Sequence, residues 1–286
     1  MTRFIIRMLQ RLAIFGIGAV SVWLIVFVVF DFADKRLPAA VAFALTYGVG
    51  AYLILPYAVR MGLKILQRRR VPSFTVSADG LAADPVNIAL YGTLDELRAA
   101  FKAIGWVEAD ELTLASSWRM VKAFVLNQPY PAAPFSTLYL FGRPQDIGFQ
   151  KPIGDSPRKR HHVRFWGRRL ENVQDIDTAS FWLNTDAPQP GARVPWAGAG
   201  TRDTGFGLTK MTFQITHATD SDTNAERDYI IGELQAAEAI GPVVWEQAGA
   251  PVGKRVNHYI TDGDVAAAAL GKGAELPNIA PPPTSE

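Results

Sequence analysis

The sequence contains no cysteine, which excludes disulfides, thiolate metal sites, iron–sulfur clusters and a cysteine nucleophile. It also lacks a glycine-rich nucleotide fingerprint, a P-loop, an HExxH or a GxSxG motif, and it shows no internal repeat. The common signatures of nucleotide binding, zinc proteolysis and serine hydrolysis are therefore missing. Acidic residues are scarce at the start of the chain. Of 29 basic and 27 acidic residues, 10 and 2 lie in the first 70 positions, leaving 19 and 25 in the remainder. The formal net charge of +2 thus hides a basic N-terminal part and an acidic body. An acidic body argues against nucleic acid as a partner.

The basic part is also strongly apolar. Residues 12–30 carry no charge, and a helix of that length covers ~28 Å, about the hydrocarbon thickness of a bilayer. A second uncharged run, 38–59, follows the short link DFADKRL, so the pattern predicts a two-span helical hairpin. A secretory signal is excluded by the length of the first run, the lack of a small-residue cleavage site and the immediate second run. Arg3, Arg7 and Arg11 precede the first run, and Arg60, Lys64, Arg68, Arg69 and Arg70 follow the second. In the link, Lys35 and Arg36 are offset by Asp31 and Asp34. The positive-inside rule then puts both ends of the hairpin, and the body of the chain, in the cytoplasm. Ala40, Ala44 and Gly48 form a small-residue stripe for close helix packing, with Gly16 and Gly18 placed to face it. The stripe serves either packing of the hairpin on itself or docking on another membrane protein. Pro56 should loosen the last turn of the second span. The basic segment 61–70 extends it toward anionic head groups.

Residues 71–84 read as a linker, 85–262 as a folded domain, and 263–286, rich in Ala, Gly and Pro, as a disordered tail. In the domain, 86–91 suits a buried strand. Thr93 and Glu96 form a capping box before a helix with Leu94, Leu97, Phe101 and Ile104 on one face, stopped by Gly105. A second helix is predicted over 113–126, with Leu114, Trp118, Val121 and Val125 on one side, and a strand over 135–141. Strands are expected at 180–184, 193–199 and 211–217, with the glycines of AGAGTRDTGFG forming a flexible turn. Thr223 and Glu226 repeat the capping box for a helix that presents Tyr229, Ile230, Leu234 and Ala237 to a core and stops at Gly241. Segments 243–246 and 256–260 read as edge strands. The irregular order predicts an α+β fold with a mixed or antiparallel sheet.

Several blocks together resemble a known family. They are PVNIALYGTLDELRAAFKAIGWVEAD, SxLYLFGRPQDIGFQ, SPRKRHHVRFW, and Thr216–His217 followed by Glu226–Arg227. Spread in order from Asp84 to Ile240, they are similar to the C-terminal domain of the bacterial LssY family. The resemblance implies a cytoplasmic domain on a membrane protein of the bacterial inner membrane. In some architectures of that family it is appended to multi-span lipid-phosphate phosphatase or DedA-like segments. Here only two predicted spans precede it, and the phosphatase part is missing. The family pattern often has a second histidine after the first in the TH block. This chain has Ala218 there, which weakens a metal role.

The stretch FGRPQDIGFQKPIGDSPRKRHHVRFW, from Phe141 to Trp166, concentrates the candidate chemistry. If RHHVRFW is a strand, His161 and His162 point to opposite faces, so at most one of them joins a site with His217, Asp146 or Asp203. Those five are the candidate acid/base groups. A strand whose histidines and arginines are satisfied by carboxylates is the favoured alternative, and no metal or cofactor is expected. Arg143 and Asp146 suit a loop salt bridge. Alternatively, Arg143, Arg160 and Arg164 form a phosphate clamp, with Arg158, Lys159, Arg168 and Arg169 giving surface attraction to anionic lipid. Asp220, Asp222 and Glu226 suit helix capping, and Asp203 is the carboxylate placed to reach a histidine. The expected function is an accessory protein that docks on a membrane partner, or self-associates, through its hairpin and binds lipid or partner through a basic, aromatic face. A hydrolase of a phosphorylated lipid or small molecule is the competing reading.

Overall fold

A computed structural model describes residues 2–66, 73–77, 82–126, 128–154, 159–168, 187–208, 215–247 and 259–277. The N-terminal part is two helical runs packed on each other. The first comprises α1 (Thr2–Trp23), a π-helical segment (Leu24–Phe30) and α2 (Asp31–Asp34). The second comprises α3 (Ala39–Val49), a π-helical segment (Gly50–Ile54) and α4 (Leu55–Leu66). Among the described residues one helix, Met8–Asp34, is long and apolar enough to cross a membrane; it runs 27 residues and is nearly all unburied. The second run does not reach that standard, and its apolar helix Ala39–Val49 is short. The prediction of two spans is thus met by one candidate span with a second helical run against it.

The two runs touch through residues other than the expected stripe. Ala33, Ala42 and Ala51 are buried, and a side chain at Gly50 would come within 3.3 Å of Ile25. Phe30 and Phe43 rings lie 5.1 Å apart. Ala40 and Ala44 are exposed, and a Cβ at Gly16, Gly18 or Gly48 would meet nothing within 4 Å. The small-residue stripe therefore faces outward, and Gly16 and Gly18 do not oppose it.

Among the described residues the rest is an α+β body of two sheets and three helices. In chain order it contains β1 (Phe74–Ser77), β2 (Ala82–Pro85), β3 (Ile88–Gly92), α5 (Leu94–Ala103), β4 (Val107–Glu108) and α6 (Leu114–Val125). There follow β5 (Leu138–Leu140), β6 (Arg143–Pro144), β7 (Ile147–Pro152), β8 (Arg160–Gly167), β9 (Val194–Leu208), β10 (Ile215–Thr219), α7 (Thr223–Ala236), β11 (Val244–Gln247) and β12 (Asp264–Ala269). The larger sheet has the order β11-β12-β3-β9-β8-β7-β4 with β10 on β9, and the smaller one β2-β1-β5-β6. All pairs are antiparallel except β12 with β3, so the sheet is mixed.

Side-chain alternation along β8 builds both layers of core. Val163 and Phe165 join Leu97, Phe101, Ile230 and Leu234 under α5 and α7. Trp166, on the other face, joins Val86, Leu138, Leu140 and Ala199 against the smaller sheet. Helix α5 begins at the predicted capping box, with Thr93 accepting from the Glu96 N–H and Glu96 accepting from the Thr93 N–H. Helix α6 has a capping box too, made by Thr113 and Ser116.

Four expectations are corrected. The tail is not disordered from 263: β12 lies inside the larger sheet, its alanines buried between β11 and β3, and 278–286 fall outside the described residues. The linker holds β1 and β2, which build the smaller sheet. The strand expected over 135–141 is confined to Leu138–Leu140, because Phe141 and Gly142 turn the chain at positive φ. The glycine-rich AGAGTRDTGFG is not a turn but most of β9, a 15-residue strand. Its glycines make room: a Cβ at Gly198 would lie 2.5 Å from the Phe165 ring. Strand 180–184, segment 251–258 and most of 211–217 lie outside the described residues.

Candidate functional site

Register carries the polar residues to two places. Arg160 lies opposite Asp203, His162 opposite Thr201 and Gln150, and Arg164 opposite Ala199 and Gly148. Directly paired residues share a face, so these form one polar layer between the two sheets. Lys151, His161 and Arg202 form a second row on the α7 side. The two histidines are split as strand alternation requires.

The layer between the sheets is buried and largely paired, with His162 Nδ1 and Arg164 Nε its buried atoms lacking a hydrogen-bond partner among the described residues. Arg160 donates through Nε to Asp203 at 2.8 Å and through NH1 to the Gln150 amide oxygen at 2.5 Å. Arg164 donates to Asp84 at 2.6 Å, and Asp84 also accepts from the Tyr259 hydroxyl at 2.8 Å. Arg143 pairs with Asp146 and donates to the Gly167 carbonyl, and the Gly167 N–H donates to Asp146 at 2.7 Å. The Phe135 ring covers the layer. The Arg160 and Arg164 guanidiniums lie 4.9 and 4.8 Å from its centroid and the His162 ring 5.4 Å. Phe135 can sit there because Gly148 has no side chain; a Cβ would enter its ring.

The state of His162 follows from its neighbours. Its Nε2 lies 2.8 Å from Arg164 NH1 and 2.8 Å from the Thr201 hydroxyl. A guanidinium can only donate, so Nε2 is the acceptor and the proton sits on Nδ1, 3.5 Å from Asp203 Oδ1. His162 is therefore a neutral imidazole whose basic lone pair is occupied. Three arginines face three carboxylates, so the layer is balanced in charge.

Burial raises the Asp84 carboxyl, but the Arg164 charge outweighs it, with the Tyr259 hydrogen bond in support, and the carboxyl is held at about 2. Burial, followed by the Asp84 charge, pushes the Tyr259 hydroxyl upward. Arg160 is lowered by burial, against the pull of Asp203.

The second row is half-open. His161 Nδ1 lies 2.8 and 3.0 Å from the two oxygens of buried Glu226, and its ring is 4.4 Å from that of Tyr229. Glu233 accepts from Lys151 at 2.5 Å, from Tyr229 at 2.8 Å and from the Trp106 indole at 2.8 Å. Burial raises the Glu233 carboxyl, but the Lys151, Trp106 and Tyr229 bonds bring it below its usual range. The reach of Glu226 toward His161 corrects its assignment to a capping box. The N-cap of α7 is Asp222, which accepts from the Ala225 N–H, while the Thr223 hydroxyl donates to the Ile260 carbonyl.

Of the five acid/base candidates, His162 and Asp203 meet in the buried layer and His161 stands on the opposite face. Asp146 serves the Arg143 loop, and His217 sits in β10 opposite Phe206. The phosphate clamp does not form: Arg143, Arg160 and Arg164 point inward onto carboxylates. Lys159 is exposed, Arg168 stacks on Phe141 at 5.2 Å, and Arg158 and Arg169 lie outside the described residues. Among the described residues no three His, Asp or Glu side chains are arranged to hold a metal ion. Sequence reasoning missed Asp84, placed in the linker, and Tyr259 and Phe135. The sequence signal for Asp84 was its place at the head of the family-like blocks.

An α+β domain carried behind an apolar helix, with an arginine–carboxylate layer sealed between its sheets, is the class these features define. The chain belongs to the LssY C-terminus family, which matches residues 68–265. No curated protein and no solved structure matches the chain.

Proposed function

We propose that this is an accessory protein of the bacterial inner membrane, with both termini and the α+β domain cytoplasmic, docking on a membrane partner through its two helical runs. The observation that carries a binding role over a catalytic one is the condition of His162, Asp203, Arg160 and Arg164. Each is buried and lies against another of the group, so none is open to a substrate from which it could take a proton or to which it could give one. Hydrolysis by these groups needs an open pocket with a basic nitrogen facing it. Helix docking is supported by the outward stripe of Ala40, Ala44 and Gly48, where a neighbouring backbone can approach closely.

The test uses the lack of native cysteine. Single cysteines at Ala40 and Ala44 in the full chain, treated with a short bifunctional thiol reagent in native membranes, should give one discrete protein adduct. A cysteine at Phe15, an exposed position on the first run, should not. Equal reaction at all three positions, with no adduct, overturns docking through this stripe.

A second reading, hydrolysis of a phosphorylated lipid or small molecule, has one observation in its favour. His161 gives Nδ1–H to Glu226 and keeps a partly exposed ring, beside Lys151 and Arg202 on the same face. A carboxylate that orients histidine leaves Nε2 as a general base. Phosphate release from phosphatidic acid by the full chain, lost in His161→Asn, would establish this reading. The accessory reading expects no release from either protein.

A further inference from the structure

Helix α6 is set into the fold with its apolar stripe outward. At 100° per residue Leu114, Trp118 and Val121 fall on one face and Ser116 and Ala123 on the opposite one. The face turned to the body is that of Ser116 and Ala123, both buried. Leu114 is 93% exposed, Trp118 71% and Val121 47%, and the leucines just before and just after the helix, Leu112 and Leu126, are exposed as well. Single exposed apolar residues are ordinary, but a continuous stripe with a tryptophan marks a contact surface. Lys122 lies along its edge, while Arg119 is set farther round the helix, toward the body. Arg119 is held to Asp110 at 3.2 Å, across the Tyr130 ring, and Lys122 is exposed.

The geometry points to a phospholipid bilayer surface as the occupant of this face. An interfacial helix has this composition: an apolar stripe with tryptophan, and at its margin a basic stem, here Lys122, that reaches the head groups. The chain also brings the bilayer to it. Leu66 ends α4 and Phe74 opens β1, so however the connection runs, it spans less than about 30 Å. A domain on so short a tether meets the membrane surface at high effective concentration, so a modest interfacial affinity is sufficient. The acidic residues beside the stripe, Asp110 and Glu111, precede the helix; Asp110 is engaged by Arg119 and Tyr130. The inference rests on the membrane-anchored reading and assigns that reading a second lipid contact, in place of the arginine-rich face that the fold buries.

The experiment places a nitroxide at single cysteines in the full chain, reconstituted in phosphatidylcholine–phosphatidylglycerol vesicles. The positions are Leu114, Val121 and, as a control, Asp95 on α5, whose side chain is 88% exposed. Accessibility is read with oxygen against a water-soluble nickel chelate. Labels at Leu114 and Val121 should favour oxygen while the label at Asp95 favours nickel. Trp118→Ser should lower the immersed fraction about tenfold. Leu114 is too exposed for its replacement to disturb folding. Nickel access at Leu114 equal to that at Asp95 overturns the inference. Shielding from both reagents overturns it too, because it means a protein contact, with a second copy or another chain. Alkaline carbonate extraction of the same vesicles separates the two readings. Release of the protein defeats the anchored reading itself, whereas retention with an aqueous Leu114 label defeats only the α6 contact.

Discussion

Asp84 is the residue on which the buried layer turns, since it takes hydrogen bonds from Arg164 and Tyr259 and lies near Thr201. Its carboxyl is held at about 2 against a usual value of 3.8. A depressed carboxyl contributes stability that is complete above the unfolded value and is lost as pH falls through the folded one. The contribution, about 2 kcal/mol by linkage, should therefore be intact above about pH 4 and fade toward pH 2. Urea midpoints of wild type and Asp84→Asn across that window test this: the variant should show the shallower dependence on pH. At neutral pH Asp84→Asn should cost about 3–5 kcal/mol, because it leaves the Arg164 guanidinium buried without its anion. Replacing both by leucine should cost less than the single change. A double loss equal to the sum of the single losses would contradict a coupled buried pair.

Elements differ in how openly the sequence states them. Helix α5 was legible because its signals are local: Thr93 and Glu96 cap it and Gly105 stops it, at positive φ. The split of His161 from His162 was legible for the same reason, since it follows from strand period alone. Strand β12 was not. Its run DVAAAA has poor intrinsic strand preference and resembles the low-complexity tail after it. It is a strand because β3 and β11 supply hydrogen-bond partners on both sides. β9 was hidden by its glycines, which read as turns until Phe165 and Ile230 are seen occupying the space beside Gly198 and Gly200. Asp84 stayed invisible because its partners lie far along the chain. Two element-scale predictions follow from packing. Gly148→Ala should displace the Phe135 ring and lower stability by about 1–3 kcal/mol, measured by chemical denaturation. Thr93→Ala, which removes an N-cap, should cost about 1 kcal/mol and leave the polar layer unchanged.

At the scale of the molecule, the outward faces matter as much as the core. The body buries Arg143, Arg160 and Arg164 with Asp84 and Asp203, while the apolar stripe of α6 and, on the N-terminal helices, the small-residue stripe of α3 face outward. On the proposed membrane-anchored reading, both face a bilayer or a membrane partner. Ending the chain after Gly263 should abolish folding, because β12 is an interior strand and β11 would lose its partner. Circular dichroism and proteolysis of the shortened protein beside the full chain would check it, and an unchanged melting transition would refute the placement of β12.

The most direct test of the central claim, that the arginine–histidine layer is structural, is nitrogen NMR of the histidines in the full chain. There are four of them, so His162→Gln assigns the signal. The account predicts that at neutral pH His162 shows the neutral form with its proton on Nδ1 and Nε2 accepting a hydrogen bond, unchanged by added inorganic phosphate or phosphatidic acid. A His162 signal with a proton on Nε2, or one that moves when phosphate is added, would contradict it and return the layer to the status of a working site.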